Sequence, residues 1–136
     1  AFKLDINGSF LWGKRIPKNQ ISMNDNGPYS SFVACNNNQE AYVIFNDNKR
    51  NYSDEGFFNG TPDNIQGLSL SYRKNAVAIV KINLENGALD RSVLFSKKDL
   101  SALVIPKQMH VDWKNMELLM YAINRNREKF GILSFK

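Results

Sequence analysis

The sequence predicts an all-β chain of antiparallel, four-strand, blade-like units, arranged as a partial β-propeller or an open β-sandwich. Three observations carry this expectation. Short apolar or alternating runs recur along the 136 residues, each bounded by Asn, Asp, Gly or Pro. Residues 75–95 read as two strands meeting at Asn86-Gly87, a pair tolerant of the positive φ angles that tight hairpins use. A shift of 78 residues also lays one part of the chain on another.

The elements follow in order. Residues 2–6 alternate as a short strand, Asn7-Gly8 supplies a turn, and residues 10–16 alternate again until Pro17 interrupts them. Residues 19–28 are rich in Asn, Asp, Gly and Ser, the chemistry of an exposed loop. Residues 29–35 and 40–45 form a second hairpin around Asn36-Asn37-Asn38. Residues 46–67 lose periodicity around Phe57-Phe58, and a loop this long inside a compact domain is often functional. Leu68, Leu70 and Tyr72 alternate as an edge strand leading to residues 75–84, whose apolar character on both parities suits a strand covered on both faces. After the return strand to Phe95, residues 96–103 read as one helical turn capped by Ser96. Strands at 107–113, 117–123 and 129–135 complete the chain.

The 78-residue shift places Lys3-Leu4-Asp5-Ile6 on Lys81-Ile82-Asn83-Leu84, Pro28 on Pro106, Asn37 on Asn115 and Phe45 on Ile123. One inserted residue brings Asn7-Gly8 onto Asn86-Gly87. Residues 1–136 are therefore expected to be a single β-rich domain in which 3–48 resembles 81–126. The repeating unit has four strands, as in a propeller blade, with the excess length in the 46–67 loop.

Composition excludes more than it assigns. The net charge is +5 and the pI about 9.4, yet the basic residues sit in scattered pairs such as Lys14-Arg15 and Lys97-Lys98 and no nucleic-acid motif accompanies them, so no nucleic-acid partner is expected. A lone Cys35 rules out an intrachain disulfide, leaves the compartment unread and is expected to be a buried hydrophobe. No apolar stretch approaches the ~20 residues of a membrane span. Ala1 opens directly into Phe2-Lys3-Leu4, with neither an initiator methionine nor a signal peptide, so the chain is expected to be processed or a piece of something longer.

Motifs for chemistry are sparse. Asp47, Asp54, Glu55 and Asp63 sit in or beside the long loop, where a hydrolase would need two acids facing each other, but solubility and turn chemistry are the expected role of these four. Asp25-Asn26-Gly27 and Asn46-Asp47-Asn48 offer oxygens of the kind calcium takes, without the spacing of a calcium loop; no other cofactor and no metal residues are assigned. One histidine, His110, and one cysteine fall short of a zinc site. Aromatics are the stronger resource. Tyr52, Phe57 and Phe58 are candidates for stacking on a sugar ring, whereas Trp12 and Trp113, in alternating strands, are expected in the core. Arg125 and Arg127 flank Asn126 in the last turn, where Lys49-Arg50 stands in the first copy; they are candidates for binding an acidic polymer, although ordinary hairpin tips are the preferred reading.

The pieces at residues 7–18 (NGSFLWGKRIPK), 42–48 (YVIFNDN), 94–96 (LFS) and 129–135 (KFGILSF) resemble the C-terminal part of large uncharacterised β-propeller-like proteins common in Bacteroidetes. That resemblance covers nearly the whole chain and implies a periplasmic, cell-surface or secreted setting, with no catalytic residues to carry over. The chain is thus expected to be a non-catalytic binding or structural module with a protein or glycan partner, the remainder of a longer chain, or a homo-oligomer. A glycan-binding module using the 46–67 aromatics and a hydrolase using carboxylates of the same loop remain as alternatives.

Overall fold

The computed structural model describes residues 1–21, 27–61, 63–69, 71–95, 102–124 and 127–136. Its strands are β1 (Phe2–Leu4), β2 (Phe10–Gly13), β3 (Phe32–Asn36), β4 (Glu40–Asn48), β5 (Asn75–Asn83), β6 (Leu89–Phe95), β7 (Leu103–Val104), β8 (His110–Asp112), β9 (Glu117–Asn124) and β10 (Arg127–Ser134). They build three antiparallel sheets: the hairpin β1-β2, the central sheet β3-β4-β5-β6, and a C-terminal sheet around β9. In that last sheet β10 pairs with one edge of β9, and β7 and β8 pair with its two halves, separated by a 3-10 turn beginning at Pro106. The class is all-β, and none of the described sheets closes on itself.

The central sheet is buried on both faces because its inner strands are apolar on both parities. Tyr42, Ile44, Val77 and Ile79 face the C-terminal sheet and pack on Val104, Leu118, Met120 and Ala122. Phe45, Ala78, Val80 and Ile82 face the other way, where Trp12 and Ile16 of the N-terminal segment and Phe58 of the long loop cover them. Side chains alternate across a strand, so one run of nine residues in β5 serves two cores. The hairpin β1-β2 is held against this second face by Trp12 and by Lys3, whose ammonium donates to the Leu84 carbonyl at 2.9 Å. Trp113 departs from its expected place: it lies 56 % exposed beside the turn between β8 and β9, with its ring edge-on to buried Phe135.

Two turns are built alike. Residues 84–88 link β5 to β6, a longer loop than a two-residue Asn-Gly turn, because the Asn83 side chain caps the chain as it leaves the strand. Its Oδ1 accepts from the Glu85 and Asn86 amides, and Gly87, at φ +71, returns an N–H to the Asn83 carbonyl. In the first hairpin Asp5 Oδ1 accepts from the Asn7 and Ser9 amides, and Gly8, at φ +84, donates to the Asp5 carbonyl. Both are Asx turns closed by a glycine in the left-handed region.

Two further expectations need correction, and a third falls mostly outside the described residues. β4 runs on through Asn46, Asp47 and Asn48, which pair with Val77, Ala76 and Asn75 of β5; ladder and burial outweigh the weak strand propensity of Asn and Asp. The described part of residues 68–72 makes no strand, and a 3-10 turn at Tyr72–Lys74 leads into β5 instead. Of the helical turn expected at 96–103, residues 96–101 lie outside the described residues and Leu103 belongs to β7.

Candidate functional site

The polar residues that end β4 organise the molecule's most unusual chemistry. Asp47 points into the second core and is fully buried there. It forms an ion pair with Arg91 of β6, accepts a 2.7 Å bond from the Tyr52 hydroxyl, and accepts from Asn51 Nδ2 at 3.0 Å. Arg91 also donates from Nε to the Tyr52 oxygen at 2.9 Å and from Nη1 to the Pro17 carbonyl at 2.5 Å. Its guanidinium lies 4.0 Å from the centroid of the Phe58 ring and 5.1 Å from that of Phe45, an aromatic sleeve for a buried cation. Burial, followed by the neighbouring Asp47 carboxylate, pushes the Tyr52 phenol well above its usual range. Burial lowers the pKa of Lys18, which Asp47 partly offsets.

Around this pair, asparagine amides hold a free edge of β7 and loop segments that lack strand partners. Asn46 donates to the Val104 carbonyl at 2.7 Å and accepts from the Val104 amide at 3.1 Å, joining β4 to the C-terminal sheet. Asn51 makes the same two-way contact with Gln66, at 3.0 and 2.8 Å, and Asn75 with Ser69, at 2.7 and 2.9 Å. Asn48 donates to the Gly67 carbonyl at 2.7 Å. A primary amide has the donor and acceptor of a peptide group, so each asparagine substitutes for a strand neighbour.

The described part of the long loop is therefore bonded to the sheet. After Tyr52 it folds back along β6, where the Val93 amide donates to the Gly56 carbonyl and the Phe58 amide to the Arg91 carbonyl, with Phe57 bridged to Ser92. The three aromatic candidates separate: Tyr52 is buried in the ion-pair network, Phe58 is half-buried against Arg91, and Phe57 is 63 % exposed. Phe57 and Phe58 flank an open pocket of about 360 Å³ with Ile16, Pro17, Leu89 and Asp90 around it and Val80 and Arg91 beneath. Arg125 lies outside the described residues, and Arg127 stands exposed at the start of β10.

The carboxylates separate in the same way. Asp54, Glu55 and Asp63 are exposed on the loop, and Asp47 is engaged by Arg91, Tyr52 and Asn51. In the calcium-like stretch 46–48, the Asn46 and Asn48 oxygens accept from the Val104 and Arg50 amides; Asp25 and Asn26 lie outside the described residues. Among the described residues no group of three or more His, Cys, Asp and Glu side chains is placed to hold a metal ion. Cys35 is buried against Tyr42 and Ile44 in the first core, which pushes its thiol up to about 11.

Sequence reasoning did not single out Arg91, Asn51 or Asn75, and it read Asn46-Asp47-Asn48 only as a calcium-like stretch in a loop. The local signal for that run is that it continues the alternation of an apolar strand. No protein-family model matches the chain, and no curated protein and no solved structure matches it.

Proposed function

We propose that the chain is a non-catalytic structural and binding module, a section of a stack of antiparallel sheets that acts through its two end faces, in the envelope or secreted setting its resemblance implies. The observation that carries this reading is the contrast between middle and ends. The central sheet is buried on both faces, whereas the outer face of the hairpin shows Phe2, Leu4 and Phe10, and that of the C-terminal sheet shows Leu119, Phe130 and Ile132, all exposed. Apolar sheet faces of this kind mark contact surfaces.

The repeat supports the same reading. Lys3 pairs with Trp12 as Lys81 pairs with Asp90, and the Asx turns at Asp5 and Asn83 follow at the same distance from those lysines. In the other half, β3-β4 and β8-β9 close loops of equal length, Asn36 pairing with Ala41 and Asp112 with Glu117. This matches two residues away from the 78-residue shift, a slip that preserves which face each residue occupies. The test is anilinonaphthalene sulfonate fluorescence: the folded chain should bind the dye, and Phe2→Thr, Phe10→Thr, Phe130→Thr and Ile132→Thr together should abolish binding with the strand circular dichroism intact. A folded wild type that leaves the dye dark when diluted to the monomer removes the reading.

Phe57 supports a second one. It is an exposed ring lining the same pocket as Asp90, on a loop hydrogen-bonded along β6, an arrangement suited to stacking on a sugar ring. Titration with soluble oligosaccharides should shift the amide resonances of Gly56, Phe57, Asp90 and Arg91 in the wild type and not in Phe57→Ala; unmoved resonances remove it.

A further inference from the structure

We propose that the partner of each end face is the opposite end face of a second copy of this chain, in a head-to-tail contact. The inference rests on the structural role just argued and names its partner.

Both faces are apolar strips on antiparallel strands. On the hairpin, Leu4 pairs with Phe10 and Phe2 with Gly13, which turns Phe2, Leu4 and Phe10 to one side and Lys3 and Trp12 to the other. Phe2 is 70 % exposed. On the C-terminal sheet, Phe130 pairs with Tyr121, their rings 5.2 Å apart, and Ile132 pairs with Leu119, while Gly131 and Leu133 take the opposite parity, with Leu133 packed on the first core. Phe130 is 66 % exposed.

The chain itself indicates what covers the hairpin. By the ladder and turn correspondence, Phe2 and Leu4 stand where Val80 and Ile82 stand in β5, and Val80 and Ile82 are buried because a neighbouring sheet segment, with Trp12 and Ile16, lies over them. The equivalent cover over Phe2 and Leu4 is another sheet presenting apolar side chains. Within the described chain the remaining sheet face of that kind is the strip of Leu119, Tyr121, Phe130 and Ile132. It cannot reach the hairpin of its own copy, since the central sheet lies between, with one core on each side. The two ends therefore meet between copies, and because they differ the contact is heterologous: it continues the order of sheets from one chain into the next, closing a ring or extending a file.

The experiment uses two surface variants of the whole chain, Phe2→Lys/Phe10→Lys and Phe130→Lys/Ile132→Lys, with multi-angle light scattering as the readout and circular dichroism as the folding check. The wild type should show a mass that rises with concentration. Each variant alone should be monomeric, because every contact needs one face of each kind. An equimolar mixture should recover a dimer and stop there, since each variant supplies one intact face. Should either lysine pair unfold the chain, Phe10→Thr and Ile132→Thr replace them with β-compatible polar side chains, each expected to weaken self-association by about tenfold or more. The proposal is overturned by a wild type that stays monomeric, by a variant that self-associates as the wild type does, or by a mixture that forms no dimer. A monomeric wild type that still binds the fluorescent dye would overturn the head-to-tail contact and leave the structural role standing, with a different partner over the same faces.

Discussion

Asp47 and Arg91, 44 residues apart in sequence, form an ion pair with both side chains almost wholly out of solvent, and the Tyr52 hydroxyl bonds to both. Removing one charge leaves the other buried without its counter-ion, a loss of about 3–5 kcal/mol. Arg91→Ala and Asp47→Ala should each lower the midpoint of urea unfolding accordingly. Replacing both with Asp47→Leu/Arg91→Met should cost much less than the sum of the two, because no charge is then left unpaired. Additive losses would show that the two side chains act independently.

Asn46 is expected to be more sensitive to chemistry than to shape. Asn46→Asp keeps the size and an oxygen for the Val104 amide but cannot donate to the Val104 and Tyr29 carbonyls, and it buries a carboxylate against them. It should destabilise by at least the ~1–3 kcal/mol of a lost buried partner, with faster hydrogen exchange at the Val104 amide and little change at Val80. Equal acceleration at both amides would mean the whole fold has loosened instead.

The two turn glycines separate backbone strain from crowding. Alanine at Gly8 meets open space and bears only the cost of positive φ, about 1 kcal/mol. Alanine at Gly87 bears the same cost and places its methyl 2.7 Å from the Trp12 ring, so Gly87→Ala should be worse than Gly8→Ala by a further ~1–3 kcal/mol. Denaturant midpoints compare them directly, and equal losses would show that Trp12 moves aside freely.

Alkaline pH should unfold the chain through its first core. Burial raises Cys35 from 9.0 to about 11 and, with the Glu40 hydrogen bond and charge, raises Tyr42 from 10.0 to about 12. Both groups hold their protons more tightly when folded. Their stabilisation is whole below pH 9 and is lost as pH rises from about 9 to about 12, where the unfolded chain ionises first. Cys35→Ala should flatten the lower part of that decline. A thiol reagent at neutral pH should label Cys35 only as fast as the chain opens.

Phe57 and Phe58, adjacent in sequence, should respond oppositely to truncation. Phe58→Ala strips one wall from the Arg91 guanidinium and an edge contact from Tyr52, at a cost of about 2–4 kcal/mol. Phe57→Ala should stay within about 0.5 kcal/mol of wild type, as an exposed side chain outside the cores does. A large loss at Phe57 would place it in the core and argue against its part in a sugar site.

The strands were legible where hydrophobic periodicity is a local property. The doubly apolar parity of β5 marked a strand covered on both faces, and Asn-Gly marked both hairpins, although each turn is set by the Asx residue before it. The end of β4 was not legible, because Asn46, Asp47 and Asn48 are individually turn formers and become strand residues only through partners brought from Val104, Arg91 and Gly67. Tyr52, Phe57 and Phe58 were all visible as loop aromatics. Which of them faces solvent depends on how the loop lies along β6, a long-range pairing with no local sequence signature.

The clamps at Asn46, Asn51 and Asn75 grip peptide groups, and a peptide group is common to nearly every residue type. The segments they hold are therefore constrained in path and length far more than in side-chain identity. Residues 63–69 can exchange most of their side chains while Asn51, Asn48 and Asn75 still hold the backbone at Gln66, Gly67 and Ser69. A small set of buried amides thus leaves the outer surface of this loop free to diversify on a backbone held at Gln66, Gly67 and Ser69.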